Sequence, residues 1–115
     1  MSSEKGENSM GEFTKTITIG QVEEFPVQLG RVVQVGEERI CVFRLSDGSM
    51  YALEDKSPHR GGPISEGIVS GKYVYDPLYD WKICLESGQV QEPDTGQVKI
   101  YQLQVIGDIV TVNME

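Results

Sequence analysis

The chain has 115 residues, with 18 acidic and 10 basic side chains and a formal net charge of -8 at pH 7. A length of this order supports one domain with one modest core. The charge argues against nucleic acid and anionic membrane surfaces as partners, because both attract clustered Lys and Arg. No apolar run approaches the roughly 20 residues of a membrane-spanning helix, and the N-terminus lacks the apolar core and cleavage site of a signal peptide. We therefore expect a cytoplasmic protein.

In chain order, residues 1–12 are polar and aperiodic, which predicts a flexible N-terminal tail before a domain over residues 13–115. Residues 13–19 alternate in the manner of a strand. A short helical turn or loop is expected before Pro26.

Strands are predicted next over residues 31–35, 39–45 and 50–53, joined by short polar turns into an antiparallel meander. Further strands are predicted over 82–85, 99–106 and 109–114, with Gly107-Asp108 as a two-residue hairpin turn. No segment has a long helical period. The sequence therefore predicts an all-β sandwich or barrel, with residues 57–81 inserted as a small loop subdomain.

The segment 57–81 contains two tight loops, which read Ser57-Pro58-His59-Arg60-Gly61-Gly62-Pro63 and Asp76-Pro77-Leu78-Tyr79-Asp80-Trp81. Gly61 and Gly62 permit a turn where a side chain would clash. The three prolines, Pro58, Pro63 and Pro77, restrict the loop backbones. These residues predict two loops of defined shape.

Two other side chains of these loops have predicted roles. Trp81 follows the second loop and is expected to pack beneath it as an aromatic anchor. Arg60 lies at a loop tip, where it is either a solvated charge or a contact with a partner protein.

The two loops resemble those of Rieske ferredoxins, which bind a [2Fe–2S] cluster through Cys-x-His and, about sixteen residues later, Cys-x-x-His. The corresponding residues here are Ser57, His59, Asp76 and Tyr79. The resemblance extends over roughly residues 13–114. Within that superfamily, a domain without these ligands resembles the small subunit of assimilatory NAD(P)H-dependent nitrite reductase.

Three of the four ligand positions carry the wrong chemistry for a cluster. Ser57 offers a hydroxyl in place of a thiolate, Asp76 a hard oxygen donor, and Tyr79 a phenol in place of an imidazole. His59 alone keeps the family's ligand type, so we expect neither a cluster nor another metal in this chain.

A hydrogen-bonded network of these four side chains is the favoured interpretation of the loops. An acid–base pair formed by Asp76 and His59, or a mononuclear metal site on the same two residues, is a less favoured alternative. The cysteines, Cys41 and Cys84, are expected to be reduced and to lie outside the ligand positions, although a disulfide between them is possible.

The resemblance implies a non-catalytic, cluster-free subunit of a cytosolic enzyme that reduces nitrite to ammonia in nitrate assimilation. It also implies a large partner subunit that carries siroheme, a [4Fe–4S] cluster and FAD and that uses NAD(P)H. The alternative is a Rieske-type ferredoxin that carries electrons to an oxygenase, which the missing ligands disfavour. A free-standing Rieske-like domain with another redox partner is a third possibility.

Overall fold

A computed structural model describes residues 15–58 and 62–114, and this part of the chain folds into nine strands with two short 3₁₀ helices, at Val22–Glu24 and Ile64–Glu66. The strands are β1 (Thr16–Gln21), β2 (Gly30–Val35), β3 (Glu38–Arg44), β4 (Met50–Glu54), β5 (Ile68–Ser70), β6 (Tyr73–Tyr75), β7 (Lys82–Cys84), β8 (Ile100–Ile106) and β9 (Ile109–Asn113). The predicted all-β class is therefore confirmed. Within the described residues, no helix has the length and apolar character needed to cross a membrane.

Six strands form one antiparallel sheet in the order β1-β9-β8-β4-β3-β2. Two tight hairpins set much of its register. Val35 pairs with Glu38 around Gly36, and Ile106 pairs with Ile109 around Gly107. Both glycines have φ near +60°, the left-handed conformation that two-residue hairpin turns require. The hairpin predicted at Gly107-Asp108 is thus confirmed.

The two faces of this sheet bury different side chains. One face contributes to a cluster that we call the barrel core: Phe25, Ile40, Val42, Ala52, Tyr101, Val110 and Val112. The other face contributes to a second cluster, the subdomain core: Cys41, Phe43, Leu45, Leu53, Ile64, Val74, Ile83, Leu85, Val90 and Val98. Side chains alternate across a strand, so β3 supplies consecutive residues to both clusters.

A second sheet, with the antiparallel order β5-β6-β7, packs on the subdomain core through Val74 and Ile83. Its strands are only three residues long, and β5 and β6 lie in the segment 57–81 that the sequence predicts as a loop insert. The sheet is completed by β7, so the subdomain continues past Trp81. Its formation brings the ends of the two predicted loops to one side of the molecule.

The first predicted strand is present at the N-terminal end of the described residues. The strand predicted over residues 13–19 is observed as β1, with a register shift between Thr18 and Gly20 where it pairs with β9. The predicted tail, residues 1–12, lies outside the described residues.

Candidate functional site

The structure brings Ser57 of the first loop and Asp76 of the second loop into direct contact. The Ser57 hydroxyl Oγ donates a hydrogen bond of 2.8 Å to Asp76 Oδ2. Both residues are buried, with 1% and 2% of their surface exposed. Ser57 lies three residues after β4, and Asp76 directly follows β6. The bond therefore links the large sheet to the small one at the site where the resemblance places two cluster ligands.

Asp76 also shapes its own loop. Its second carboxylate oxygen, Oδ1, accepts a hydrogen bond of 2.8 Å from the Leu78 amide and a longer one of 3.5 Å from the Tyr79 amide. The backbone of Asp76 bonds to the Asp80 amide and to the Trp81 carbonyl, both at 2.9 Å. An Asp that bonds to the amide two residues on is a recognised turn former. The loop is thereby held with Leu78 and Tyr79 outward, 67% and 53% exposed.

A backbone hydrogen bond joins the described ends of the first loop, and Gly62 lies near Leu78 of the second loop. The Ser57 amide donates to the Gly62 carbonyl at 3.0 Å. Gly62 has φ of 84°, and a Cβ added there would lie 3.6 Å from Leu78 Cδ1. His59, Arg60 and Gly61 lie outside the described residues, so the hydrogen-bond partner and the loop-tip contact predicted for them stay predictions.

Trp81 and the three loop prolines lie around the Ser57–Asp76 contact. Trp81 is partly buried and packs against the subdomain core. Pro63 immediately precedes the 3₁₀ helix Ile64–Glu66, whereas Pro58 and Pro77 are exposed. These prolines flank the Ser57–Asp76 contact without taking part in it.

Asp55 is a buried carboxylate that the sequence analysis did not single out. Its side chain is 0% exposed and accepts bonds from the Ser65 amide at 2.8 Å, the Ser65 hydroxyl at 3.0 Å and Arg39 Nε at 2.9 Å. It fastens the end of β4 to the 3₁₀ helix that follows the first loop. Ser65 is ten residues away, on the other side of the first loop, and neither residue belongs to a ligand position, so the sequence analysis gave no reason to pair them.

The cysteines are both free. Cys41 is enclosed in the subdomain core, where burial and the Asp55 carboxylate raise the pKa of its thiol. Burial also acts to raise the pKa of Cys84, but hydrogen bonds from Ser87 outweigh it and leave that pKa below its ordinary value. Neither thiol lies on the two loops, so neither replaces a missing ligand.

A [2Fe–2S] cluster does not fit the residues at this site. Iron–sulfur centres are held by thiolates, with two imidazoles in Rieske centres. Here a hydroxyl and a carboxylate are directed at each other at 2.8 Å, and Tyr79 extends into a mostly solvent-exposed position. In the part of the chain that the structure describes, no three His, Cys, Asp or Glu residues are grouped so as to hold a metal ion.

Comparison with known proteins matches residues 15–113 to the family described as the Rieske-like [2Fe-2S] domain. The anthranilate 1,2-dioxygenase ferredoxin subunit of Burkholderia cepacia is 29% identical over 97 residues, which cover 84% of this chain and 89% of that protein. The chain also matches three monooxygenase chains, of whose length it spans between 11% and 17%.

Solved structures share the fold along almost the whole chain. A protein named as an NADH-dependent nitrite reductase small subunit, from Mycobacterium tuberculosis, has a TM-score of 0.81 at 21% identity and covers 90% of this chain and 98% of its own. A second protein, named as a nitrite reductase NADPH small subunit, has a TM-score of 0.77 at 27% identity, covering 85% of this chain and 97% of its own. The resemblance predicted from the loops is confirmed, and the chain belongs to the Rieske-like [2Fe-2S] domain family.

Proposed function

We propose that this chain is the non-catalytic small subunit of a cytoplasmic, NAD(P)H-dependent nitrite reductase that forms ammonia in nitrate assimilation, and that it binds no cluster of its own. The buried Ser57–Asp76 hydrogen bond carries the proposal, because it occupies two ligand positions with groups that bond to each other. The 27% identity to a named nitrite reductase small subunit, over 97% of that chain, supports the choice of enzyme.

The partner in this proposal is a large subunit that carries siroheme, a [4Fe–4S] cluster and FAD and that binds NAD(P)H. All redox chemistry takes place there. This chain contributes by stabilising that subunit or by positioning its domains, through a binding surface that the domain keeps without its cofactor.

The two loops are the first candidates for the contact. Leu78 and Tyr79 present exposed apolar surface, and Asp76 fixes the backbone that carries them. A loop that is already ordered loses little conformational freedom on binding, which favours affinity. Arg60, in the adjoining loop, is proposed to add a charged contact at the edge.

Reconstitution tests the proposal. The large subunit is assayed for NAD(P)H-dependent nitrite reduction with and without this chain, and complex formation is followed by gel filtration. We expect a stable complex, higher activity or a longer half-life for the large subunit, and no nitrite reduction by this chain alone. Equal activity and stability of the large subunit alone, with no complex, would show that the assignment is wrong.

A ferredoxin that serves an oxygenase is the second candidate, favoured by the 29% identity to a dioxygenase ferredoxin subunit. It requires a bound cluster and therefore visible absorbance from thiolate-to-iron charge transfer. We expect the chain, produced together with cluster-assembly proteins, to be colourless and to contain no stoichiometric iron or acid-labile sulfide. A coloured protein with two irons and two sulfides per chain would establish the ferredoxin instead.

A further inference from the structure

The outward face of β1, β9 and β8 is a regular array of side chains. Residues paired directly across antiparallel strands lie on the same face. The register therefore places three rows side by side, each taking one residue from each strand. The rows are Thr16–Asn113–Gln102, Thr18–Thr111–Gln104 and Gln21–Ile109–Ile106. We call this array the neutral face.

The neutral face contains no charged side chain, although the chain has 18 acidic and 10 basic residues. It consists of amides and hydroxyls with two isoleucines at one end, and Ile106 and Ile109 are 64% and 38% exposed. The opposite face of the same strands holds Val110 and Val112, which are fully buried in the barrel core. The neutral face is therefore the solvent side of the sheet.

At β3 and β4, the same side of the large sheet packs against the small sheet. Leu53 of β4 pairs with Cys41 on one side and with Ile100 on the other, and both Leu53 and Cys41 belong to the subdomain core. Gln102, two residues after Ile100, shares its face. The small sheet thus covers this side at β3 and β4 and leaves it bare at β8, β9 and β1.

A groove runs along the border between the covered and bare parts. It has a volume of about 250 Å³, and its lining includes Tyr51, Leu85, Ile100 and Gln102. At the far side of the neutral face, β1 is the last strand of the sheet, and no strand among residues 15–58 and 62–114 pairs with its outer edge. The groove and the outer edge of β1 lie next to the neutral face, so a partner bound to the neutral face can also contact them.

The size and charge of the neutral face indicate what covers it. Strands about 4.8 Å apart, with same-face residues about 6.8 Å apart, give the array roughly 300 Å². A stable interface needs about 800 Å² on each partner. The array alone is too small for any stable partner, so the contact also has to include the groove and the β1 edge. Two chains of net charge -8 repel each other, which disfavours a second copy as the occupant. A larger protein can cover the neutral face, the groove and the β1 edge together.

We propose that the large subunit docks on the neutral face, in a contact separate from the one at the loops. The inference rests on the proposed function, because that function supplies the large subunit. The contact is made by hydrogen bonds to amides and hydroxyls and by apolar contact with Ile106 and Ile109. A charge of either sign placed there has to lose its water without a partner, so positive and negative substitutions both weaken binding.

The test compares charge substitutions at two exposed glutamines. Gln104 lies in the middle row of the neutral face, and Gln34 lies on β2, at the opposite edge of the large sheet. We expect Gln104→Glu and Gln104→Lys each to raise the Kd for the purified large subunit about tenfold or more. Gln34→Glu and Gln34→Lys should leave the Kd within about twofold of wild type. If a Gln104 variant has a thermal midpoint well below that of wild type, Gln102→Glu in the neighbouring row replaces it in the binding assay.

The possible results distinguish a wrong docking site from a wrong subunit assignment. If wild type binds the large subunit and the Gln104 and Gln102 variants bind equally well, the docking site is wrong while the subunit assignment stands. Tighter binding with one sign of charge would indicate a charge-paired contact and would also overturn the neutral face. If the isolated chain is a dimer that Gln104→Lys dissociates, a second copy is the occupant. If wild type forms no complex, the assignment fails and this inference fails with it.

Discussion

Asp76→Ala is the change that most directly tests whether the Ser57–Asp76 contact holds the two loops together. It removes the acceptor for the Ser57 hydroxyl, in a place where both residues are almost fully buried, and the acceptor for the Leu78 amide. Loss of a buried partner costs about 1–3 kcal/mol. The Leu78 amide belongs to an exposed loop where water can replace the carboxylate, so it adds about 1 kcal/mol or less. We expect a total loss of about 1–4 kcal/mol.

Two milder changes give a ranking that depends on the observed geometry. Asp76→Asn keeps an oxygen for the Leu78 amide and places an NH₂ group beside Ser57, whose hydroxyl can turn and accept, so we expect a loss of about 0.5–1.5 kcal/mol. Ser57→Ala removes one donor from a carboxylate that keeps its amide donors, which should cost about 1–2 kcal/mol. Glu66→Ala, an exposed carboxylate in the same subdomain, is the control and should stay within about 0.5 kcal/mol of wild type.

Urea unfolding followed by circular dichroism measures these differences, and thermal midpoints should fall by about 4 °C for each kcal/mol lost. A double-mutant cycle between Ser57→Ala and Asp76→Ala should give a coupling free energy of about 1–2 kcal/mol. The reasoning is refuted if Asp76→Ala unfolds within about 0.5 kcal/mol of wild type, or if the two changes are strictly additive.

Three further predictions concern residues outside the Ser57–Asp76 contact. Asp55→Ala should lower the free energy of unfolding by about 2–3 kcal/mol, because the Ser65 amide and hydroxyl lose their acceptor, whereas Arg39 is exposed enough to be solvated; an unchanged urea midpoint would contradict this. Alkylation of the native protein, followed by mass spectrometry, should label Cys84 and not Cys41. The rate of Cys84 alkylation should fall as the pH is lowered, with a midpoint pH below that of a cysteine in the unfolded chain, because the pKa of Cys84 is lowered. Labelling of Cys41 without denaturant would disprove its burial. Gly88→Ala should cost about 2–4 kcal/mol, because a Cβ there would lie 2.2 Å from the Val98 carbonyl oxygen at φ of 76°; Gly71→Ala, at φ of 59° with open space, is the control and should cost about 1 kcal/mol.

The sequence predicted the strands that carry their own local signal. The β2–β3 and β8–β9 hairpins have alternating apolar residues on both sides of a short glycine turn, so period and turn chemistry agree. The strands β5 and β6 were not predicted, because three residues are too few to display a period. They form only because β7 and the subdomain core are present to pair and pack with them.

The candidate site was also predictable only where the sequence carries a local signal or a family resemblance. The Asp76-Pro77-Leu78 sequence is typical of an Asp-initiated turn, and the resemblance alone brought Ser57 opposite Asp76. The Asp55–Ser65 pair and the neutral face could not be predicted, because the first depends on how the chain on the two sides of the first loop is brought together and the second on the register of three strands. Such features depend on tertiary placement, which residue types along a chain do not determine.

The strand β3 is buried on both of its faces, and this affects how the protein unfolds locally. Ile40 and Val42 belong to one cluster, and Cys41 and Phe43 to the other, and all four are fully buried. Pulling the small sheet away would expose one side of β3, while fraying the barrel would expose the other. Opening events that free the β3 amides must therefore disturb both clusters, so their hydrogen exchange with solvent should approach the rate set by global unfolding. The strand β3 should therefore unfold together with both clusters, as part of one cooperative unit.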